Sequence, residues 1–151
     1  MSLPDVATTA PDPPPDDVLE PDEMWSFVGH KGNVWWLWLA LCRRTRRIIG
    51  YWLGGRDEWA ARQFWQHLPL AWRALPAYTD RWKAYPKVIP ADQHRPSSKR
   101  EGQTNHIERC NCTLRQRLAR FTRKTLSFSK SEQMHELAVK LFIHDYNLSR
   151  N

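Results

Sequence analysis

LEPDEMWSFVGHKGNVWWLWLALCRRTRRIIGYWL, residues 19–53, is the stretch that decides the fold. From Leu19 to Val28 the side chains alternate, with Asp22, Met24, Ser26 and Val28 on one face and Glu23, Trp25 and Phe27 on the other, which is the period of a strand. Gly29, Gly32 and Asn33 then supply a turn. Val34 to Leu41 is too short and too aromatic for a helix and is apolar on both faces, as in a central strand. Arg43 to Arg47 reads as a basic hairpin loop, and Ile48 to Leu53 as a third strand returning alongside.

Beyond this meander, Gly54 and Gly55 break the strand and Asp57 caps a helix in which Trp59, Arg62, Phe64, Trp65 and Leu68 recur until Pro69. Ala77 to Thr79 reads as a short strand leading into Asp80. Pro86 to Arg100 is rich in loop formers, and the remainder is helical, from about Asn105 to Arg123 and from Ser131 to Leu148. In the last helix Met134, Leu137, Leu141 and His144 follow helical spacing. Three antiparallel strands, a helix, a further strand and C-terminal helices make an α/β order compatible with a ribonuclease H-like mixed sheet. Pattern alone leaves several α+β folds open.

The 151-residue chain is the size of one domain, with 41% apolar residues to fill a single core. Residues 1–18, with Pro4, Pro11, Pro13, Pro14 and Pro15 among small and acidic side chains, read as a disordered leader, leaving 19–151 as the folded domain. The formal charge of +7 is unevenly spread: residues 1–23 hold seven acids and no Lys or Arg, and from Met24 onward 23 basic residues face nine acidic ones. That excess of 14 attracts polyanions, chiefly nucleic acid, although an anionic membrane surface satisfies the same electrostatics. Nine Trp read as core rather than base-stacking platforms. Three cysteines without scaffold spacing argue against a disulfide framework and for a reducing cytosol. No secretory signal pattern is present, and the longest apolar run, Val34 to Cys42, falls far short of the roughly 20 residues of a membrane helix.

Asp22 on a strand, Asp80 at a strand end and Glu108 early in a helix are costly places for carboxylates unless a shared cation holds them. Taken singly, each is more simply a cap or a solvated edge. His106 and Cys110 stand at i and i+4, with Cys112 nearby, but zinc's four-ligand spacing is missing. Between Arg109 and Ser131 lie seven basic residues and no acid, a distribution suited to phosphate contacts.

The segments LEPDEMWSFVG (19–29), YTDRWKAY (78–85), TNHIERCNCTLRQRLAR (104–120) and KTLSFSKS (124–131) together resemble the DDE transposases of the bacterial insertion sequence 1 family, and the resemblance runs from Leu19 to about Ile143. It implies a ribonuclease H-like catalytic domain performing metal-dependent DNA strand cleavage and strand transfer. Asp22 matches the Asp of the family's Asp-Glu-x-Trp motif, Asp80 that of Thr-Asp-Gly-Trp, and Glu108 the Glu of Asn-His-x-Glu-Arg. The resemblance implies these three as catalytic residues and ligands of two Mg²⁺, or Mn²⁺, ions. Hard carboxylate oxygens suit such ions while leaving positions open for phosphate and nucleophile. Glu23 is the nearest rival to Asp22, but alternation sends neighbouring side chains to opposite faces, so only one is expected in the site, with Glu23 beside it or at the surface.

Arg115, seven residues after Glu108 on its helix, occupies a place where such transposases often carry a DNA-contacting cation. Arg81, Arg109, Arg115, Arg117, Arg120, Arg123 and Lys124 are the expected DNA contacts, with Asn105, His106 and Asn111 flanking. Arg81 departs from the family's Gly and leaves its effect open. The implied partners are transposon ends and target DNA, in the bacterial cytosol at the nucleoid, with a homo-oligomer expected and no membrane association. The family's upstream zinc-finger and helix-turn-helix module has no counterpart in this stretch. A nuclease or resolvase of the same fold, or a non-catalytic nucleic-acid binder, are the competing functions.

Overall fold

The computed structural model describes residues 3–27, 34–124 and 132–150. Strands β1 (Leu19–Phe27), β2 (Val34–Cys42) and β3 (Ile48–Gly54) form the expected antiparallel meander. β4 (Ala77–Thr79) and β5 (His94–Pro96) extend the sheet in parallel, giving the order β3-β2-β1-β4-β5. The fifth strand lies inside the segment read as loop. It is three residues long, carries Arg and Pro at an edge, and shows no alternation for a pattern to find.

Because β2 is apolar on both faces, it seeds two cores. Trp38, Ala40 and Cys42 face a layer built on α2 (Glu58–His67) and the short α3 (Tyr85–Val88). Leu37, Leu39 and Leu41 face α4 (Asn105–Lys124) and α5 (Glu132–Leu148). Trp38 is fully buried, with ring centroids 5.6 Å from Phe64, 5.5 Å from Trp82 and 6.0 Å from Tyr85. Its indole N–H is satisfied by the Gly55 carbonyl at 2.9 Å. Burying a ring of that size stabilises by roughly 4–6 kcal/mol at about 25 cal/mol per Å². Trp65 and Trp72 are also core, whereas Trp59 is 62% exposed.

Asp57 caps α2 through Ala60 N–H, as its place in the sequence suggested. At the other end of α2, Leu68 sits over Gly50, where any Cβ would come within 2.7 Å of it. The glycine thus permits close seating of helix on strand.

The acidic leader does not behave as its composition implied. Residues 3–18 lie against the domain, with α1 (Val6–Thr9) capped by Asp5 and Val6 wholly buried in the core beneath α5. Trp72 donates its indole N–H to the Pro11 carbonyl at 3.0 Å, and Asp17, 3% exposed, pairs with Arg44 at 3.1 Å. Prolines fix φ and so reduce the entropy lost on ordering, an effect that a composition rule for disorder does not weigh.

Candidate active site

The parallel pairing of β1 with β4 sets the two strand-borne acids level. Leu19 pairs with Ala77, so Asp22 and Asp80 stand at the same offset along neighbouring strands. β4 ends at Thr79, leaving that part of β1 paired with β2 on one side and without a strand on the β4 side. There Asp22, Glu23 and Asp80 converge, one carboxylate oxygen of each lying within 4.8 Å of the others.

Alternation holds along β1, yet it does not separate the neighbours as expected. Asp22 turns toward α4, where Asn111 Nδ2 donates to its Oδ2 at 3.1 Å. Glu23 turns toward the α3 layer, where Arg56 donates to Oε1 at 3.1 Å and the Tyr85 hydroxyl donates to Oε2. With no strand between them and Asp80, both carboxylates reach the gap. The expectation that only one of them enters the site, with Glu23 beside it or at the surface, is therefore corrected: Glu23 is 8% exposed and part of the acidic group.

The guanidinium of Arg56 lies 4.5 Å from the Trp36 ring centroid and 4.6 Å from that of Trp82. This cation balances Glu23 and fixes its geometry. Asp22 has no such counterion among the described residues. Burial, then the charges of Glu23 and Asp80, push its carboxyl up to about 8, against the pull of the Glu23 N–H that it accepts at 2.9 Å; Glu108 raises it further. Glu23 is raised as well by burial, with Tyr85 and Arg56 opposing. Asp80 accepts the Trp82 N–H at 3.0 Å.

Glu108 is half-buried on α4, one helical turn before Asn111, and its charge reaches Asp22, but it lies outside the close group of three. What places its helix was not anticipated. Glu20 on β1 is fully buried and its Oε1 accepts the N–H groups of His106 and Ile107 at 3.1 and 3.2 Å, capping the first turn of α4. Its Oε2 takes Arg43 Nε at 3.0 Å, and Arg43 also donates to the Gln103 carbonyl and lies 4.6 Å over the Tyr78 ring. One carboxylate thereby ties the strand of Asp22 to the helix of Glu108. An acid two residues from another on a strand was the only signal available.

Among the described residues the acidic group offers only hard oxygen donors, and the buried Asn111 Oδ1 has no partner. An unpaired acceptor of that kind costs about 1–3 kcal/mol. Together with an Asp22 that ionises only at a penalty, these features fit a small divalent cation of the Mg²⁺ or Mn²⁺ type.

The family model for IS1 transposase matches residues 18–148. This chain belongs to the IS1 transposase family. Relatives include the insertion element iso-IS1n protein InsB of Shigella dysenteriae, 36% identical over 130 residues that span 85% of this chain and 95% of that protein. The IS1 protein InsB of Shigella flexneri is 34% identical over 125 residues, 83% of this chain and 92% of its own length. The IS1 4 protein InsB of Escherichia coli K12 is 32% identical over 134 residues, 87% and 78%. In structure, the chain is similar to one chain of the simian T-cell lymphotropic virus intasome solved by cryoEM in complex with PP2A regulatory subunit B56 gamma. The TM-score is 0.63 at 14% identity over 83% of this chain and 47%, under half, of that one. The α/β fold is ribonuclease H-like, and the chain is a DDE transposase catalytic domain.

Of the cations expected on this IS1 family member, Arg109 and Arg115 are exposed on α4. Arg117 pairs with Asp145 at 3.3 Å and Arg81 with Glu101 at 3.1 Å, both at the surface. Such solvent-screened pairs contribute little to stability and yield readily to phosphate. The side chains of Arg120, Arg123 and Lys124 lie outside the described residues. Cys110 is buried beside Tyr146 and Cys112 is exposed, so they do not join His106 in a zinc group.

The raised Asp22 carboxyl gives a pH prediction. In the fold it holds its proton up to about 8, against the 3.8 ordinary for an aspartate, so its contribution to stability is complete below pH 4 and is lost as pH rises through 8. Without divalent metal, the parent chain should lose stability over that range relative to Asp22→Asn, which has nothing to titrate. Urea midpoints measured from pH 4 to 9 give the comparison; parallel profiles would contradict the raised value.

Proposed function

We propose that Asp22, Asp80 and Glu108 are the catalytic carboxylates and that, with Mg²⁺ or Mn²⁺ bound, this domain cleaves DNA strands at transposon ends and joins them to target DNA. The observation carrying this reading is the convergence of Asp22 and Asp80 at the gap beyond β4, with the Glu108 helix pinned to the same strand. Two bound ions would supply charge neutralisation at the scissile phosphate and an activated hydroxyl. The chain's own part is to hold hard oxygens in place, to keep Asp22 ready to exchange a proton for a cation, and to orient phosphate with basic side chains. Cleavage of end DNA should proceed with Mg²⁺ or Mn²⁺ and fall to near background with Ca²⁺, whose coordination is larger and looser, while DNA binding persists. Equal cleavage with Ca²⁺, or without any metal, would contradict the metal reading.

Glu23 is the alternative third ligand, favoured by its distance. Both its oxygens are already engaged by Arg56 and Tyr85, whereas Glu108 carries no such partner among the hydrogen bonds described. We therefore assign Glu23 to electrostatic support of Asp22 and Asp80, with Glu108 drawn in when metal or DNA binds.

DNA contacts are assigned to Arg81, Arg109 and Arg115 at the surface, continued by the cations further along α4. Transposition acting on paired ends makes a homo-oligomer at bacterial nucleoid DNA part of the proposal. Among the described residues no helix is long and apolar enough to cross a membrane. If these side chains meet phosphates, Arg115→Ala should weaken binding to all duplex sequences alike and lower the slope of log affinity against log salt by about 0.9. A salt titration with random duplex checks this; an unchanged slope would remove Arg115 from the contact set.

A further inference from the structure

Asn111 is buried, 6% exposed, and only one end of its amide is used. The Nδ2 group donates to Asp22 Oδ2 at 3.1 Å, while Oδ1 has no partner among the described residues. Buried acceptors are nearly always paired in native proteins, so an orphan beside an acidic cluster points to a group that arrives from outside. Its place on α4 is set twice over: Glu20 fixes the first turn of the helix, and the bond to Asp22 fixes this side chain against β1. Glu108 lies one turn earlier on the same helix face. An aspartate at 111 would add a further negative charge to Asp22, Glu23 and Asp80, whereas an amide supplies the same oxygen without charge.

We propose that Asn111 is a positioning residue of the metal site, holding the Asp22 carboxylate through its N–H and offering Oδ1 as acceptor to water carried by the bound divalent ion. The proposal rests on the reading of the acidic group as a metal site. Mg²⁺ and Mn²⁺ retain water ligands, and the partners of such outer groups commonly change metal affinity about 10–100-fold when removed.

A mere brace between α4 and β1 would affect stability and not metal uptake, so the test separates the two. Mn²⁺ binding to the 151-residue chain, followed by the electron paramagnetic resonance of free Mn²⁺, is compared for the parent, Asn111→Leu, Asn111→Gln and Asp80→Asn. Asn111→Leu should raise the Mn²⁺ dissociation constant at least about tenfold. Its metal-free unfolding midpoint should stay near that of the parent, because the lost hydrogen bond is offset by removal of an unpaired oxygen. Asn111→Gln, which keeps both the N–H and the oxygen one methylene further out, should bind Mn²⁺ within a small factor of the parent, and it decides the matter if the leucine variant does not fold. Parent-like Mn²⁺ affinity in Asn111→Leu, or loss of binding in Asn111→Gln, would overturn the role given to Asn111. A parent chain that binds no Mn²⁺, or binds it no better than Asp80→Asn, would instead contradict the metal site itself.

Discussion

Asp80→Asn should reduce strand cleavage by about 10³-fold or more while leaving fold and non-specific DNA affinity intact. Removing one electrostatic stabiliser from an active site typically costs about 10²–10³ in rate, and here the substitution also weakens the hold on metal. Asparagine keeps the side-chain oxygen that accepts the Trp82 N–H, so the turn after β4 persists. The exposed arginines of α4 are untouched, and loss of a negative charge only reduces repulsion of phosphate. Cleavage should be assayed on end DNA with the chain joined to an end-recognition module of its element, and affinity on random duplex. Cleavage within tenfold of the parent would contradict a ligand role for Asp80.

Glu20→Ala has the second large expected effect, on stability. The fully buried carboxylate serves Arg43 and two N–H groups of α4 at once, and breaking one partner of a buried pair costs about 3–5 kcal/mol. Two helix donors would also be left unpaired. Glu20→Gln keeps an acceptor for the helix and should lose less. Urea unfolding of the three chains supplies the numbers; a loss under about 1 kcal/mol for the alanine variant would show that α4 is placed by packing alone.

The meander was legible because β1, β2 and β3 each carry their burial in local order: alternation in β1, apolar residues throughout β2, a closing apolar run in β3. The cap at Asp57 was legible from a capping side chain ahead of a periodic run, and the last helix from its spacing, although Leu137 and Leu141 of the stripe that marked it are exposed and Ala138, Val139, Ile143 and Tyr146 carry its burial. β5 was not, since a parallel edge strand of His94, Arg95 and Pro96 takes its hydrogen bonds from β4 and shows nothing locally. Asp22, Asp80 and Glu108 were singled out by family motifs, and the register of β1 with β4 explains why the first two meet. The supporting residues escaped notice because their partners are distant in sequence. Glu20 answers to the start of α4, Glu23 to Arg56 and Tyr85, and no period or spacing along β1 announces either pairing. The packed leader was missed through reasoning from composition, which does not register that Val6 and Asp17 find buried sites.

The most direct measurement is anomalous X-ray scattering from crystals of this chain grown with Mn²⁺. Density for the ion is expected at the gap beyond β4, with oxygens of Asp22 and Asp80 at about 2.0–2.2 Å, Glu108 drawn toward it, and Glu23 still held by Arg56 and Tyr85. Mn²⁺ bound elsewhere, or bound without Asp22 and Asp80, would contradict the metal site at this gap.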